Sequence, residues 1–391
     1  MNVYYISPST IPSRSANSIH VMNMCEGLLQ LNCKVSLFAH SKLCCASDCR
    51  EQLEEVYGMD IKKIKLNIFF SKKNKGIEFF IALYSFKCFM FDLVRNHKPG
   101  YIISRNLYAA VIFGLFFRRQ VIYETHSQER GFRKNIQKLL LNSNKVKTIV
   151  ISNALKKILC TSHNVCNKNI NVFHDAARDG RLKLNYLQRQ KLQNKFVKSN
   201  AGLYYPKYIG YFGHLYPGRG IEIIENLAKL NPSYGFIVYG GNEKEIKKYK
   251  KCNTNNNLFF MGYISPSFSY ESMTMMDILL MPYQKNVSIG LKGVDTAKWM
   301  SPMKMFEYMS VGVPIISSDL PVLREVLVNN ENSLLVEADN IKAWSRALNE
   351  VIYNEILAER LGSNAYDEYK NKYTWKLRAK GIIDLWSNNV D

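Results

Sequence analysis

Acidic residues are scarce in this 391-residue chain: 32 Asp and Glu stand against 53 Lys and Arg, giving a formal net charge of +21. That balance implies anionic partners such as nucleic acid, a membrane surface or a phosphorylated substrate. Lys and Asn are abundant throughout, so a general compositional bias accounts for part of it. Uninterrupted apolar runs are missing. The best candidate, Ile77 to Val94, is broken by Glu78, Lys87 and Asp92 and suits a buried or amphipathic helix better than a membrane span. No helix-turn-helix, zinc-finger or RNA-recognition signature accompanies the charge, so nucleic acid is not expected as a partner. The nine cysteines are scattered; Cys44, Cys45 and Cys49 cluster, but no paired CxxC spacing appears, which argues against zinc. Met1 to Ser7 has no basic n-region and reads as a strand, so no export signal is expected and the thiols are expected free in a reducing cytoplasm.

What is present suits a globular protein with an ample core: 47% of residues are hydrophobic and 22% charged. The length suggests two or three domains. Strands alternate with helices. Val3 to Ser7, a polar loop from Pro8 to Asn17, a helix from Ser18 to Leu31 and a strand from Lys34 to Ala39 make a βαβ unit, so a parallel sheet is expected. Strands at 101–104, 121–123, 148–151 and 171–173 continue it, with helices at 107–117, 128–141 and 153–159. Arg178 to Ala201 is polar and basic and reads as a linker. A second series follows, with strands at 208–212, 235–239, 258–261, 278–281 and 333–336, and a helical tail from Ile341 onward. The expected architecture is α/β, with two doubly wound Rossmann-like domains facing a central cleft: a first domain over 1–200, a second over 201–370, and a C-terminal helix over 371–391 packing back towards the first. One run, Lys62, Lys63, Lys65, Lys72, Lys73 and Lys75 among Ile64, Ile68, Phe69 and Phe70, with Phe79 and Phe80 beyond, fits either an anionic membrane surface or a solvated loop.

Two stretches carry chemistry. In Ser301-Pro302-Met303-Lys304-Met305-Phe306-Glu307-Tyr308-Met309, Ser301 suits an N-cap, Pro302 the first helical position, and Gly312 the helix end before a strand at Val313 to Ile316. Lys304 in the first turn opposes the helix dipole and needs an anion. Either it meets a ligand phosphate, with Glu307 one turn deeper for a sugar hydroxyl, or the two form a surface ion pair. The other stretch is Gly210 to Ile221, a strand running into a glycine-bearing turn closed by Arg219. It differs from the dinucleotide GxGxxG, and it suits either an anion cradle or a plain tight turn.

Together these stretches resemble the retaining, nucleotide-sugar-dependent glycosyltransferases of GT-B fold, family 4. Ser317-Ser318-Asp319-Leu320-Pro321-Val322-Leu323-Arg324-Glu325 extends the likeness, as do Ser7-Pro8, Arg14 to Val21, Tyr123-Glu124-Thr125-His126 and Tyr373-Thr374-Trp375, in the family's order. The resemblance implies that Gly213, His214, Arg219 and Lys304, with Ser301, Pro302 and Met303, hold the donor diphosphate and sugar. Glu307 would bind the ribose, Gly262-Tyr263-Ile264 the base, and Lys292 a phosphate. Arg14, Ser15, Asn17 and Ser18 would face the acceptor, and His126, Arg219 and Lys304 would carry catalysis. The family's first Glu of Glu-x7-Glu falls on Trp299, with Asp295 the nearest carboxylate, and His214 stands where many relatives carry arginine. His20 is expected to serve packing or a cap, and His174-Asp175 a structural turn.

The implied reaction transfers a sugar with retention to a glycan or lipid-linked acceptor in polysaccharide synthesis. No cofactor or metal is expected, and no Asp-x-Asp pair lies near the site. The expected location is cytoplasmic, peripheral at the inner membrane face. A sugar-nucleotide epimerase of the same fold and a non-enzymatic anion- or nucleic-acid-binding protein are the competing classes.

Overall fold

The structure is a computed structural model and describes residues 1–43, 52–54, 56–72, 76–96, 100–180, 186–199, 204–288, 290 and 295–387. The chain divides into two units, Met1–Ala176 with Thr374–Asp391, and Ala177–Tyr373.

The first unit is built on seven parallel strands: β1 (Asn2–Thr10), β2 (Lys34–Ser41), β3 (Ile64–Phe70), β4 (Tyr101–Ser104), β5 (Val121–Thr125), β6 (Val146–Val150) and β7 (Ile170–Val172). Their order is β3-β2-β1-β4-β5-β6-β7. Nearly continuous apolar runs such as Val3 to Ile6 mark strands covered on both faces. The chain steps outward from β1 and then returns to place β4 on the other side, so the strand order reverses between β1 and β4. Such a reversal opens a crevice at the strands' carboxyl ends. Helices α1 (Ala16–Leu29), α2 (Ile77–Asn96), α3 (Leu107–Val111), α4 (Phe132–Leu141) and α5 (Asn153–His163) cover the sheet. Ile81, Phe89, Phe113 and Leu140, from α2 through α4, share one core with Tyr4, Ile102 and Tyr123 of the strands. The C-terminal helix Trp375–Ser387 packs beside α1, so closely that a Cβ on Gly27 would sit 2.4 Å from the Trp375 carbonyl oxygen.

The second unit repeats the plan with six strands, β8 (Tyr208–Phe212), β9 (Gly235–Tyr239), β10 (Leu258–Gly262), β11 (Ile278–Met281), β12 (Ile315–Ser318) and β13 (Leu334–Val336), in the order β10-β9-β8-β11-β12-β13. All pairs are parallel, and the reversal lies between β8 and β11. Helices α6 (Tyr186–Ser199), α7 (Ile221–Leu230), α8 (Glu243–Cys252), α9 (Pro266–Thr274), α10 (Met303–Val311), α11 (Ile341–Tyr353) and α12 (Glu355–Lys372) accompany it. Phe236, Leu280, Ile316 and Trp344 lie at the centre of its core.

The expected α/β class with two doubly wound units holds. Several local expectations change. The break falls at residues 176/177 rather than near 200. The polar stretch 178–201 is not a bare linker, because it holds α6, whose buried Phe196 meets Tyr208 edge-on. β1 runs on to Thr10 and α1 starts at Ala16, which shortens the loop expected over 8–17. Ser301 is not the cap of α10. Pro302 takes the N-cap position in extended conformation and Met303 opens the helix. Lys62 to Phe70 is no free loop, since β3 forms the edge of the first sheet. The helical tail breaks at Asn354, whose side chain accepts from the Leu357 amide and caps α12. Among the described residues no helix is long and apolar enough to cross a membrane.

Candidate functional site

The second unit's site grows from the β8/β11 reversal. β8 ends at Phe212, and residues 213–219 turn back towards α7. This turn is glycine-dependent. Gly218 and Gly220 have φ of 81° and 84°, and a Cβ on either would sit 1.9 Å from the Asn286 or Pro282 carbonyl oxygen. The turn therefore packs directly on the segment after β11, where the Gln284 amide donates to the Gly218 carbonyl at 2.9 Å and the Ser288 amide to the Pro217 carbonyl at 3.1 Å. Arg219, closing the turn, donates from Nη1 to the Tyr283 hydroxyl at 2.9 Å. Its Nε is buried and has no hydrogen-bond partner among the described residues. His214 stacks on Tyr216, with ring centres 4.8 Å apart.

Helix α10 brings Lys304 to the same place. The helix is fixed by its buried face, Met305, Phe306, Tyr308 and Met309, and by the Phe212 amide, which donates to the Tyr308 hydroxyl at 2.8 Å. Gly312, at φ 69°, ends it as expected. Lys304 is only 8% exposed. Its Nζ lies 3.8 Å from the Tyr211 ring centre and 4.9 Å from that of Tyr283, and finds no hydrogen-bond partner among the described residues. A Cβ on Gly213 would stand 3.1 Å from this nitrogen, so the end of β8 lies directly beside it. Burial, reinforced by the charge of Arg219, pushes the ammonium well below its ordinary value. Half-buried Glu307 is raised by burial to about 6, against the pull of Lys304 and Arg178. The surface ion pair open at the sequence level is thus absent. Two cations converge beside aromatic rings with donors left over, and the arrangement suits an anion.

The other donor-side residues are placed as follows. Ser301 is buried, while Pro302 and Met303 start α10. Gly262 ends β10 at φ 83°, its carbonyl accepting from the Gly240 amide at 2.7 Å, and exposed Tyr263 and half-buried Ile264 follow at the same end of the sheet. Lys292 lies outside the described residues. Asp295, the carboxylate nearest Trp299, accepts from the Val287 and Ala297 amides at 2.8 and 3.0 Å, so it braces its own loop.

The first unit holds a different cluster, at the carboxyl ends of β4 and β5. His126 follows β5. Its Nε2 lies 3.0 Å from Glu124 Oε1, and its Nδ1 lies 3.2 Å from Arg105 Nη2. An ionised Glu124 can only accept and a guanidinium can only donate, so the imidazole's single proton sits on Nε2. Burial and then Arg105 push His126 down to about 4. Buried His20 on α1 lies 2.8 Å from both Glu124 Oε1 and Asp175 Oδ1, and Arg378 Nη2 reaches the same Glu124 oxygen at 2.8 Å. Burial alone would raise the Glu124 carboxyl, but Arg378 and His20 overcome it and hold the group well below the carboxylate range. Ligand atoms of His20, Glu124 and His126 lie within 4.8 Å of one another, a spacing that could hold a metal ion. Arg378 already supplies positive charge at the shared carboxylate. Arg105 Nη1 is buried with no partner among the described residues, a donor left for a ligand oxygen.

Of the acceptor-side residues, Ser15 caps α1 by accepting from the Ser18 amide, and the Ser18 hydroxyl donates to the Ser13 and Ser15 carbonyls at 2.5 and 2.9 Å. Those two hydroxyls serve the helix start. Asn17 donates to the Ser9 hydroxyl at 2.7 Å, and Arg14 is exposed. The sequence reading missed Arg105, Arg378, Tyr211 and Tyr283. It also gave His20 and Asp175 lesser roles than the ion network they form. Only Tyr211, inside the Gly210 to Ile221 stretch already singled out, offered a local signal.

Residues 195–368, which include Arg219, Lys304 and Glu307, match the family model of glycosyl transferases group 1. The spore coat protein SA of Bacillus subtilis is 20% identical over 209 residues, 49% of this chain and 52% of that protein. The capsular polysaccharide biosynthesis glycosyltransferase CapM of Staphylococcus aureus is 24% identical over 252 residues, 61% of this chain and 60% of that protein. The chain thus spans just over half the length of these two curated relatives. The glycosyltransferase MJ1178 of Methanocaldococcus jannaschii is 22% identical over 333 residues, 82% and 83% of the two chains. Among solved structures, Anabaena HepE in complex with UDP superposes with a TM-score of 0.71 at 16% identity, covering 99% of this chain and 100% of that one. A glycosyltransferase from Rickettsia africae superposes with a TM-score of 0.72 at 13% identity, covering 99% and 98%. These likenesses show the GT-B type of fold.

Proposed function

We propose that this protein transfers a sugar, with retention, from a nucleoside-diphosphate sugar to a glycan or lipid-linked acceptor in the synthesis of a cell-surface polysaccharide. The observation that carries this reading is the buried Lys304 ammonium, without a hydrogen-bond partner among the described residues, beside Arg219 at the strand-order reversal. A lysine held among rings and next to a second cation is costly unless an anion joins it. A diphosphate supplies that anion, and the UDP complex of the Anabaena neighbour supports the choice. CapM and the O-antigen chain mannosyltransferase RfbU of Salmonella typhimurium, 21% identical over 239 residues, support the polysaccharide setting.

In the proposed reaction the bond between the anomeric carbon and the phosphate oxygen breaks, and its electron pair leaves on the diphosphate. Arg219 and Lys304 stabilise the developing charge, an effect often worth a hundredfold or more in rate per donor, roughly 3 kcal/mol. The acceptor oxygen bonds to the same face of the anomeric carbon and its proton passes to the departing phosphate oxygen, so no protein nucleophile is needed. Glu307 takes the ribose hydroxyls. Both ring nitrogens of His126 are engaged, by Glu124 and Arg105, and its basicity is low. We therefore assign it a positioning role in place of a general base. No metal or cofactor enters this scheme.

A panel of UDP- and GDP-sugars, read by thermal stabilisation and slow donor hydrolysis, tests the reading. At least one should bind, and Arg219→Ala and Glu307→Ala should each weaken it. If none binds and neither variant changes anything, the site assignment is wrong.

A further inference from the structure

Helix α2 is apolar on two opposite faces. Ile77, Ile81, Ser85 and Phe89 face the core of the first unit. Phe80, Leu83, Phe91 and Val94, with Lys87 among them, recur every three or four residues along the other side and are 50%, 43%, 57% and 72% exposed. A helix that is apolar all round is normally covered all round. The exposed side also continues beyond α2. Phe80 stacks on Phe69 of β3, Phe79 meets Tyr108 of α3 edge-on, and Phe86 contacts Phe117, whose neighbour Phe116 is 76% exposed. Phe132, at the start of α4, is 77% exposed.

Charge selects the occupant. The two acids of α2 are held within the chain, Glu78 by Arg133 at 2.6 Å and Asp92 by Lys65 at 3.3 Å. Lys62, Lys63, Lys72, Lys87 and Arg95 on or beside this surface are exposed. A second copy docked symmetrically would set these cations against their own equivalents. An anionic lipid surface instead accepts the rings into its headgroup boundary and the lysines at its phosphates. We propose that the outer face of α2, with Phe116 and Phe132 beside it, is a peripheral docking surface for an anionic bilayer. This goes beyond the transfer reaction and stands on the surface itself, so failure of either leaves the other intact.

The test is sedimentation of the full chain with vesicles of phosphatidylcholine alone or mixed with phosphatidylglycerol, at low and high salt. The wild type should bind the mixed vesicles, bind neutral ones at least tenfold less, and lose affinity with salt. Leu83→Glu/Phe91→Glu should reduce binding about tenfold, while Ile356→Glu, an equally drastic change at an 82% exposed site of the second unit, should not. Thermal unfolding and nucleotide-sugar binding should be the same in all three proteins, since every changed side chain is exposed. Lack of binding to mixed vesicles, equal loss in the Ile356→Glu control, or a wild-type dimer that Leu83→Glu/Phe91→Glu makes monomeric would overturn the proposal.

Discussion

Lys304 illustrates how one side chain links stability to binding. Without a ligand its ammonium is buried against the rings of Tyr211 and Tyr283, with no hydrogen-bond partner among the described residues. Replacing it with an apolar side chain of similar length removes a desolvation penalty. Lys304→Met should therefore stabilise the ligand-free protein by about 1–3 kcal/mol in denaturant unfolding while abolishing nucleotide-sugar binding. A loss of stability would show that the ammonium already has a compensating partner. Glu307 and His126 separate by pH. Glu307, raised to about 6, loses its charge as pH falls through that value, so nucleotide affinity should weaken below pH 6 and the weakening should vanish in Glu307→Gln. His126, pushed down to about 4, is already neutral there, so His126→Gln should leave the pH dependence in place. A limb near pH 6 that followed His126 instead would restore it as a titrating base.

At the scale of elements, the turn from β8 to α7 depends on glycine more than on any charge. Gly220→Ala would need a Cβ 1.9 Å from the Pro282 carbonyl oxygen at φ 84°. It should cost several kcal/mol of stability, on the order of 2–4, and weaken nucleotide binding with it, as melting and titration would reveal. An unchanged melting point would mean that the turn tolerates a shift of the 282–288 segment. This turn and helix α10 were legible in the sequence because their residues are contiguous and each glycine, proline and charge has a local meaning. The cluster around Glu124 was not. His20 and Asp175 are 155 positions apart and Glu124 and Arg378 are 254 apart, so only the fold brings them together. Phe196 shows the same limit on a smaller scale. One buried ring anchors α6 within a stretch whose average composition is that of a linker. At Ser301 the local rule itself misled, since the Ser-Pro pair suited a cap one residue early.

At the scale of the whole molecule, each unit has its own sheet and core, and the chain's last helix belongs to the first unit. Removing residues 374–391 takes away Arg378, which holds Glu124, and Trp375, which packs edge-on against His20. Hydrogen exchange should then show the first unit opening while the sheet of the second stays protected. Equal loss in both units would contradict that division. The reading as a nucleotide-sugar transferase, however, rests on the second unit, and above all on whether Lys304 and Arg219 await a diphosphate. An anion brought beside Lys304 raises its depressed pKa, so binding draws a proton from solution at any pH between the unliganded and liganded values. Calorimetric titration with UDP at several pH values between about 7 and about 10, each repeated in buffers of different ionisation enthalpy, reads this directly. The prediction is UDP binding with net proton uptake that disappears, together with the affinity, in Lys304→Met. Binding that is equally tight and proton-neutral in wild type and Lys304→Met would contradict it.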